Sequence, residues 1–74
     1  MKIIYQFIEE NLSDSYLGQY KSCTITASGI NGEILEKISD AFINPIIARQ
    51  FVDRCNICQL MPSHLKDVLI DTIA

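Results

Sequence analysis

Hydrophobic residues in the second half of the chain recur at a spacing typical of helices. Between Glu33 and Cys58, this pattern predicts two consecutive amphipathic helices separated at Asn44-Pro45. The residue before a proline is pushed out of the helical region of backbone conformation, so the first helix must end there. Asn44 can cap the second helix, and Pro45 suits its first position because no helical donor is lost.

The two ends of the chain also carry helical spacing. Apolar residues between Lys2 and Leu12 favour a helix, although the same stretch is rich in residues that form strands well. Near the other end, Ser63 is a suitable cap for a last helix that runs to about Ile73. Both segments are short, so we expect them to pack on the central helix pair or on a partner.

One stretch has the alternation of a β-strand. Polar and apolar residues alternate from Lys21 to Ser28, and a turn signal follows over 29–32. A strand needs a neighbour for its backbone groups. The candidates are the segment 2–8, a short return after the turn, or the same strand of a second copy.

These elements predict a single domain, 1–74, that is mainly α. The expected architecture is a small bundle of about four helices with one short extended segment near 22–28. The alternative is an α+β domain in which 2–8 pairs with 21–28.

The amino-acid composition predicts that this domain binds a partner. The chain has 74 residues, of which 49% are hydrophobic. A domain of this size buries only about 60% of the surface that its unfolded chain exposes. Some of the apolar side chains must therefore lie on the surface, where apolar patches often mark binding sites. We expect a protein partner, and a homodimer is the simplest one.

Charge argues against nucleic acid as that partner. The chain has 6 basic and 9 acidic residues, and the basic residues are scattered singly rather than gathered in a stripe. A helix-turn-helix DNA-binding unit over Ile34 to Arg54 is a further alternative, because two predicted helices meet there at a tight break.

The sequence predicts a cytoplasmic protein. No apolar run is long enough to span a membrane, and Glu9-Glu10 interrupts the only apolar stretch near the start. The three cysteines are an odd number, which argues against a disulfide framework.

Three cysteines and one histidine are candidate ligands for a metal ion. Cys55 and Cys58 form a CxxC, His64 follows six residues on, and Cys23 can supply a fourth ligand. Three thiolates and an imidazole suit tetrahedral zinc, so a small zinc-binding module is an alternative function. Cys55 and Cys58 also fit the apolar stripe of their helix, and buried thiols without metal or cofactor are the interpretation that we prefer.

The function predicted from the sequence is protein binding without catalysis. With a single histidine and no carboxylate pair set up for acid–base work, we expect no enzyme. The chain is interpreted as a small acidic interaction protein, acting as a homodimer or as an inhibitor or adaptor docked on a larger protein through an apolar helical face. The expected interface residues lie off the main apolar stripes or in the exposed connection; they are Tyr16, Tyr20, Ile46, Val52 and Ile70.

Overall fold

The computed structural model describes residues 2–73. The strands are β1 (Ile4–Asp14), β2 (Gly18–Ser28) and β3 (Ile34–Phe42), and the helices are α1 (Pro45–Cys58) and α2 (Leu65–Ile73), the latter preceded by a 3-10 turn at Pro62–His64. The three strands form one antiparallel sheet in the order β1-β2-β3. The prediction of a mainly α, four-helix bundle is therefore wrong, and the α+β alternative is the one that fits.

The hairpin of β1 and β2 corrects the predicted helix over Lys2 to Leu12. Ile4 pairs with Ser28 and Ile8 pairs with Thr24, which is the pairing that the α+β alternative required. The helical spacing arose because β1 carries apolar residues on both of its faces. A strand with two apolar faces has no clean alternation and imitates the periodicity of a helix.

The turn between these strands is set by Asp14 and Gly18. The Asp14 carboxylate accepts hydrogen bonds from the backbone N–H groups of Tyr16, at 2.7 Å, and Leu17, at 3.1 Å. These two bonds stabilise the ionised form and lower the pKa of Asp14. Gly18 has φ +72°, a left-handed conformation that costs glycine little.

The segment 34–42, predicted as a helix, is strand β3. Cys23 and Ile25 are two positions apart on β2. Their partners on β3, Phe42 and Ile38, are four positions apart. The extra residues form a bulge that includes Asp40, with φ 55°. In a regular strand Ile38, Asp40 and Phe42 would share one face, but the bulge turns Asp40 to the other face, so the core residues Ile38 and Phe42 are four apart with no core residue midway. That spacing is also the spacing of a helix, which explains the wrong prediction.

The helix that follows Asn44 is confirmed. The Asn44 side chain accepts a hydrogen bond from the backbone N–H of Ile46 at 2.9 Å, and Pro45 is the first helical residue. The helix ends at Gln59, which adopts a left-handed conformation with φ 48°. The last predicted helix is confirmed as α2, although it begins two residues after Ser63.

Both helices supply the core on one face of the sheet. The buried apolar side chains are Ile3, Tyr5, Cys23, Ile25, Ala27, Phe42, Ala48, Phe51, Val52, Cys55, Leu65 and Leu69. The rings of Phe42 and Phe51 lie 5.3 Å apart and join β3 to α1. Tyr5 is buried, and its hydroxyl donates to the backbone carbonyl of Leu60 beyond the end of α1. The sheet is therefore covered on one face only.

We expect the fold to lose stability at high pH because two core groups resist ionisation. Burial, with a smaller contribution from Cys55, raises the pKa of Tyr5 from 10.0 to about 12. Burial, followed by Cys58, raises the pKa of Cys55 from 9.0 to about 11. Both pKa values are higher in the folded chain, so the stability they contribute is complete below pH 9 and is lost between pH 9 and about 12.

Urea unfolding at about pH 8 and about pH 11 checks this prediction, with a loss of about 2–3 kcal/mol expected on that rise. Tyr5→Phe is the control, because it removes the phenol that titrates and should flatten the upper part of the pH profile. An unfolding free energy that stays constant over this range would contradict the prediction.

Candidate protein-binding surface

The face of the sheet opposite the helices carries apolar residues that are exposed. Residues directly opposite each other in an antiparallel pair share a face. The register therefore places Ile4, Ile8 and Ile34 on the face away from Tyr5 and Ile25. Ile8 is 50% exposed and Ile34 is 59% exposed. No helix within residues 2–73 packs on this side, which we call the open face.

The bulge of β3 folds over the middle of the open face. The Asp40 carboxylate accepts hydrogen bonds from the hydroxyls of Ser22 and Tyr20, the latter at 3.0 Å. The bond to Asp40 raises the pKa of Tyr20. Ser22 and Thr24 in β2 are buried, although no helix covers this side. The open face therefore has a polar, well-packed centre between apolar margins.

Thr24 is the one member of this centre without a hydrogen-bond partner. Its Oγ1 is buried and, among the described residues, no group lies within hydrogen-bonding reach of it. Across the sheet, its partner in the register is Ile8 of β1. The exposed isoleucines at the margins, with the Asp40 carboxylate and the half-buried Tyr20 hydroxyl between them, are suited to contact with another surface, because they combine apolar area with a few fixed polar groups.

Helix α1 covers the beginning of the outer edge of the sheet, along β1. The side-chain amide of Asn56 accepts from the backbone N–H of Tyr5 at 2.8 Å and donates to its carbonyl at 3.0 Å. Gln59 makes the same pair of bonds with Ile3, both at 3.1 Å. We call these two side chains the amide clamp. They make the hydrogen bonds that a neighbouring strand would make to Ile3, just before β1, and to Tyr5 within it. These bonds also fix α1 against the sheet.

The residues of the zinc alternative are not assembled. Cys23 lies in the core within β2, Cys55 is buried in α1, and Cys58 and His64 are exposed. Among residues 2–73, no group of three or more His, Cys, Asp or Glu side chains is close enough to hold a metal ion. Burial also raises the pKa values of Cys23 and Cys55, which favours thiols over the thiolates that zinc binds.

The helix-turn-helix alternative is inconsistent with the fold. It required a helix on each side of Asn44-Pro45, and the first of these is strand β3. What remains is a single helix, α1, that is packed against the sheet by Phe51 and Cys55. The arrangement of a recognition helix beside a supporting helix is therefore not present over Ile34 to Arg54.

The five residues expected at the interface fall in different environments. Tyr16 is 95% exposed at the tip of the first hairpin, and Tyr20 is half-buried beside Asp40. Ile46 on α1 is 66% exposed and Ile70 on α2 is 49% exposed. Val52 is buried in the core between α1 and the sheet, and its 6% exposure is too little to anchor a partner. The five do not lie on one element.

The sequence interpretation missed the open face because it assigned β1 and β3 to helices. Ile4, Ile8 and Leu12 recur at every fourth position, which a helix model places on the same stripe as Ile3 and Phe7. In a strand, odd-numbered and even-numbered residues direct their side chains to opposite faces, so Ile4 and Ile8 lie on the other face from Ile3 and Phe7. The signal was present in the sequence but only a strand assignment reveals it.

Comparisons with known proteins add no identity to this surface. The chain matches no family model, no curated protein and no solved structure. Among the described residues, no helix has both the length and the apolar character needed to cross a membrane.

Proposed function

We propose that this protein acts by binding a second copy of itself through the open face of its sheet, without catalysing a reaction. The observation that carries the proposal is the amount of apolar surface left outside the core. Among residues 2–72, thirteen large apolar side chains are exposed, against twelve apolar residues in the core, and Ile4, Ile8 and Ile34 are the three on the open face. Such a surface is costly in water and is characteristic of proteins that associate.

The size of the open face supports a second copy as the occupant. β1 and β2 have 11 residues each. At a rise of about 3.3 Å per residue and a strand spacing of about 4.8 Å, three such strands project roughly 500 Å². Side chains protrude from that plane, so the accessible area is larger than the projection. A stable interface buries about 800 Å² on each partner, against roughly 500 Å² of projected area on each open face, so the protruding side chains must supply the difference.

The charge on the open face also suits self-association. Its charged residues are Glu10 and Asp14 on β1 and Lys37 and Asp40 on β3. Asp40 is already bonded to Ser22 and Tyr20. The Asp14 carboxylate is likewise bonded to two backbone N–H groups, so Glu10 and Lys37, which have opposite signs, are the charges left to pair across a two-fold interface.

The cellular setting that we propose is the cytoplasm. The three cysteines are free thiols, and free thiols persist in a reducing compartment. An acidic chain with scattered basic residues suits a protein partner better than nucleic acid. Docking on a larger protein, as an inhibitor or adaptor, is the outcome to consider if the second copy is excluded.

Charged substitution of single isoleucines tests the proposal. Ile8→Asp places a carboxylate on the apolar margin of the open face and should shift the dimer dissociation constant at least about a hundredfold, because a buried unpaired charge costs several kcal/mol. Ile57→Asp is the matched control, since Ile57 is 83% exposed on the solvent side of α1. Analytical ultracentrifugation over a concentration series measures both variants.

Two results would contradict the proposal. If Ile8→Asp and Ile57→Asp dissociate equally, the open face has no special part in association. If Ile46→Asp or Ile70→Asp dissociates the dimer while Ile8→Asp does not, the helical face expected from the sequence is the interface. Circular dichroism of each variant separates dissociation from unfolding, because Ile8 is half exposed and its replacement should preserve the fold.

A further inference from the structure

The edge of β1 is covered only at its beginning. The amide clamp occupies the outward backbone groups of Ile3 and Tyr5. Successive residues of a strand direct these groups to alternate edges, and the β1–β2 register runs without a bulge to Asp14. Phe7, Glu9, Asn11 and Ser13 therefore also direct their N–H and C=O groups outward.

These four residues have no partner for their outward groups. Among the described residues, no backbone or side-chain group bonds to them on that edge. A row of unpaired donors and acceptors is a template for another extended chain. The free edge begins where the amide clamp stops, so an added strand can pair from Phe7 onward without displacing Asn56.

A groove accompanies the free edge near its start. It has a volume of about 570 Å³ and lies between β1 and α1, with Phe7 and Ile8 on one side and Val52, Arg49 and Asp53 on the other. An extended chain bonded to Phe7 would place alternate side chains into this groove, because side chains of a strand alternate between its faces. The groove thus adds side-chain contacts to the backbone pairing.

The charge of the free edge selects the kind of strand that can bind. Between residues 7 and 14, β1 has three acidic residues, Glu9, Glu10 and Asp14, and no basic residue. Pairing with the same edge of a second copy would bring six carboxylates together in any register. Like charges in facing strands destabilise the pair, so a second copy is a poor occupant of this edge. A strand with basic side chains has the complementary charge.

We propose that the free edge of β1, from Phe7 to Ser13, binds an extended segment of a partner protein that carries lysine or arginine at alternate positions. The partner's backbone pairs with Phe7, Glu9, Asn11 and Ser13, and its basic side chains approach Glu9, Glu10 or Asp14. This site shares Glu10 and Asp14 with the margin of the open face, but its backbone pairing does not depend on self-association.

A model peptide tests the proposal with the full chain. The probe is an eight-residue peptide of alternating threonine and lysine, and the charge control replaces each lysine with glutamate. A third peptide has the lysine sequence with N-methyl groups on alternate backbone nitrogens, which blocks its hydrogen bonds but keeps its charge. Binding is followed by chemical-shift titration and by hydrogen exchange of single amides.

The expected result is residue-specific. The lysine peptide should slow amide exchange at Phe7, Glu9, Asn11 and Ser13 and leave the even-numbered amides of β1 unchanged, because β2 already protects them. The glutamate peptide and the N-methylated peptide should bind at least about tenfold more weakly. Equal binding of the N-methylated peptide would overturn the proposal, as would absence of protection at millimolar lysine peptide.

Variants of the edge give a second test. Glu9→Pro removes an outward N–H and no bond to β2, so the fold should persist while peptide binding is lost. The double change Glu9→Lys with Glu10→Lys should reverse the preference, so that the glutamate peptide binds about tenfold more tightly than the lysine peptide. An unchanged preference would overturn the proposal. Dimer mass of the Glu9→Pro variant reports separately on the open face, because Glu9 lies on the other face of the sheet.

Discussion

Ile25→Ala is expected to lower the free energy of unfolding by about 3–4 kcal/mol, the typical cost of truncating a fully buried isoleucine. Ile25 has no exposed surface and lies on the central strand β2, opposite Phe7 on one side and Ile38 on the other. A domain of this size has a total stability of only about 4–11 kcal/mol. The change should therefore remove a large share of the stability and shift the urea midpoint accordingly.

Ile57→Ala is the matched control for this prediction. It removes the same atoms from an isoleucine that is 83% exposed, so its effect should stay within about 0.5 kcal/mol. Chemical denaturation followed by circular dichroism measures both variants. Equal losses at the two positions would mean that the helix-covered face of the sheet is not the core.

The second large effect is expected at the amide clamp. Asn56→Leu removes the two hydrogen bonds to Tyr5 and leaves a partly buried N–H and C=O without a partner. We expect a loss of about 2 kcal/mol, since each unsatisfied group costs about 1–3 kcal/mol and water can reach part of the edge. The amide of Tyr5 should also exchange faster, whereas the amide of Ile4, which pairs inward with β2, should not.

Gln50→Leu provides the control for the clamp. Gln50 lies on the same helix and is exposed, and among residues 2–73 its amide makes no hydrogen bond. Its replacement should change stability by less than about 0.5 kcal/mol. If Asn56→Leu were equally mild, α1 would be held against the sheet by apolar packing alone.

The parts of the fold that the sequence predicted correctly have strong local signals. Asn44-Pro45 both ends one element and begins the next, because a cap and a fixed backbone angle act at adjacent residues. In β2, apolar residues alternate with Ser and Thr without interruption from Ser22 to Ser28. Such signals depend on the residues themselves and need no knowledge of neighbouring elements.

β1 and β3 were misassigned because tertiary context determines their pattern. In β1, isoleucines on the open face add to the apolar residues of the core face and remove the alternation. In β3, the bulge at Asp40 changes the spacing from two to four. Bulges and two-sided strands are fixed by pairing with β2, which a single segment does not reveal.

The candidate surface was predictable in kind but not in position. The excess of apolar residues for so small a chain predicted exposed hydrophobic area, and Ile46 and Ile70 are exposed as that argument requires. Val52 lies in the core because α1 buries Ala48, Val52 and Cys55 on one side, slightly rotated from the stripe assumed in the sequence. Locating the open face required the register of the sheet.

The central claim is that a second copy covers the apolar surface that one chain leaves in water. Light scattering of the unmodified protein at low micromolar concentration tests it most directly, because one chain has a mass of 8.4 kDa. We predict a mass of twice that value, falling towards a single chain on dilution. A mass of 8.4 kDa at every concentration would contradict the claim.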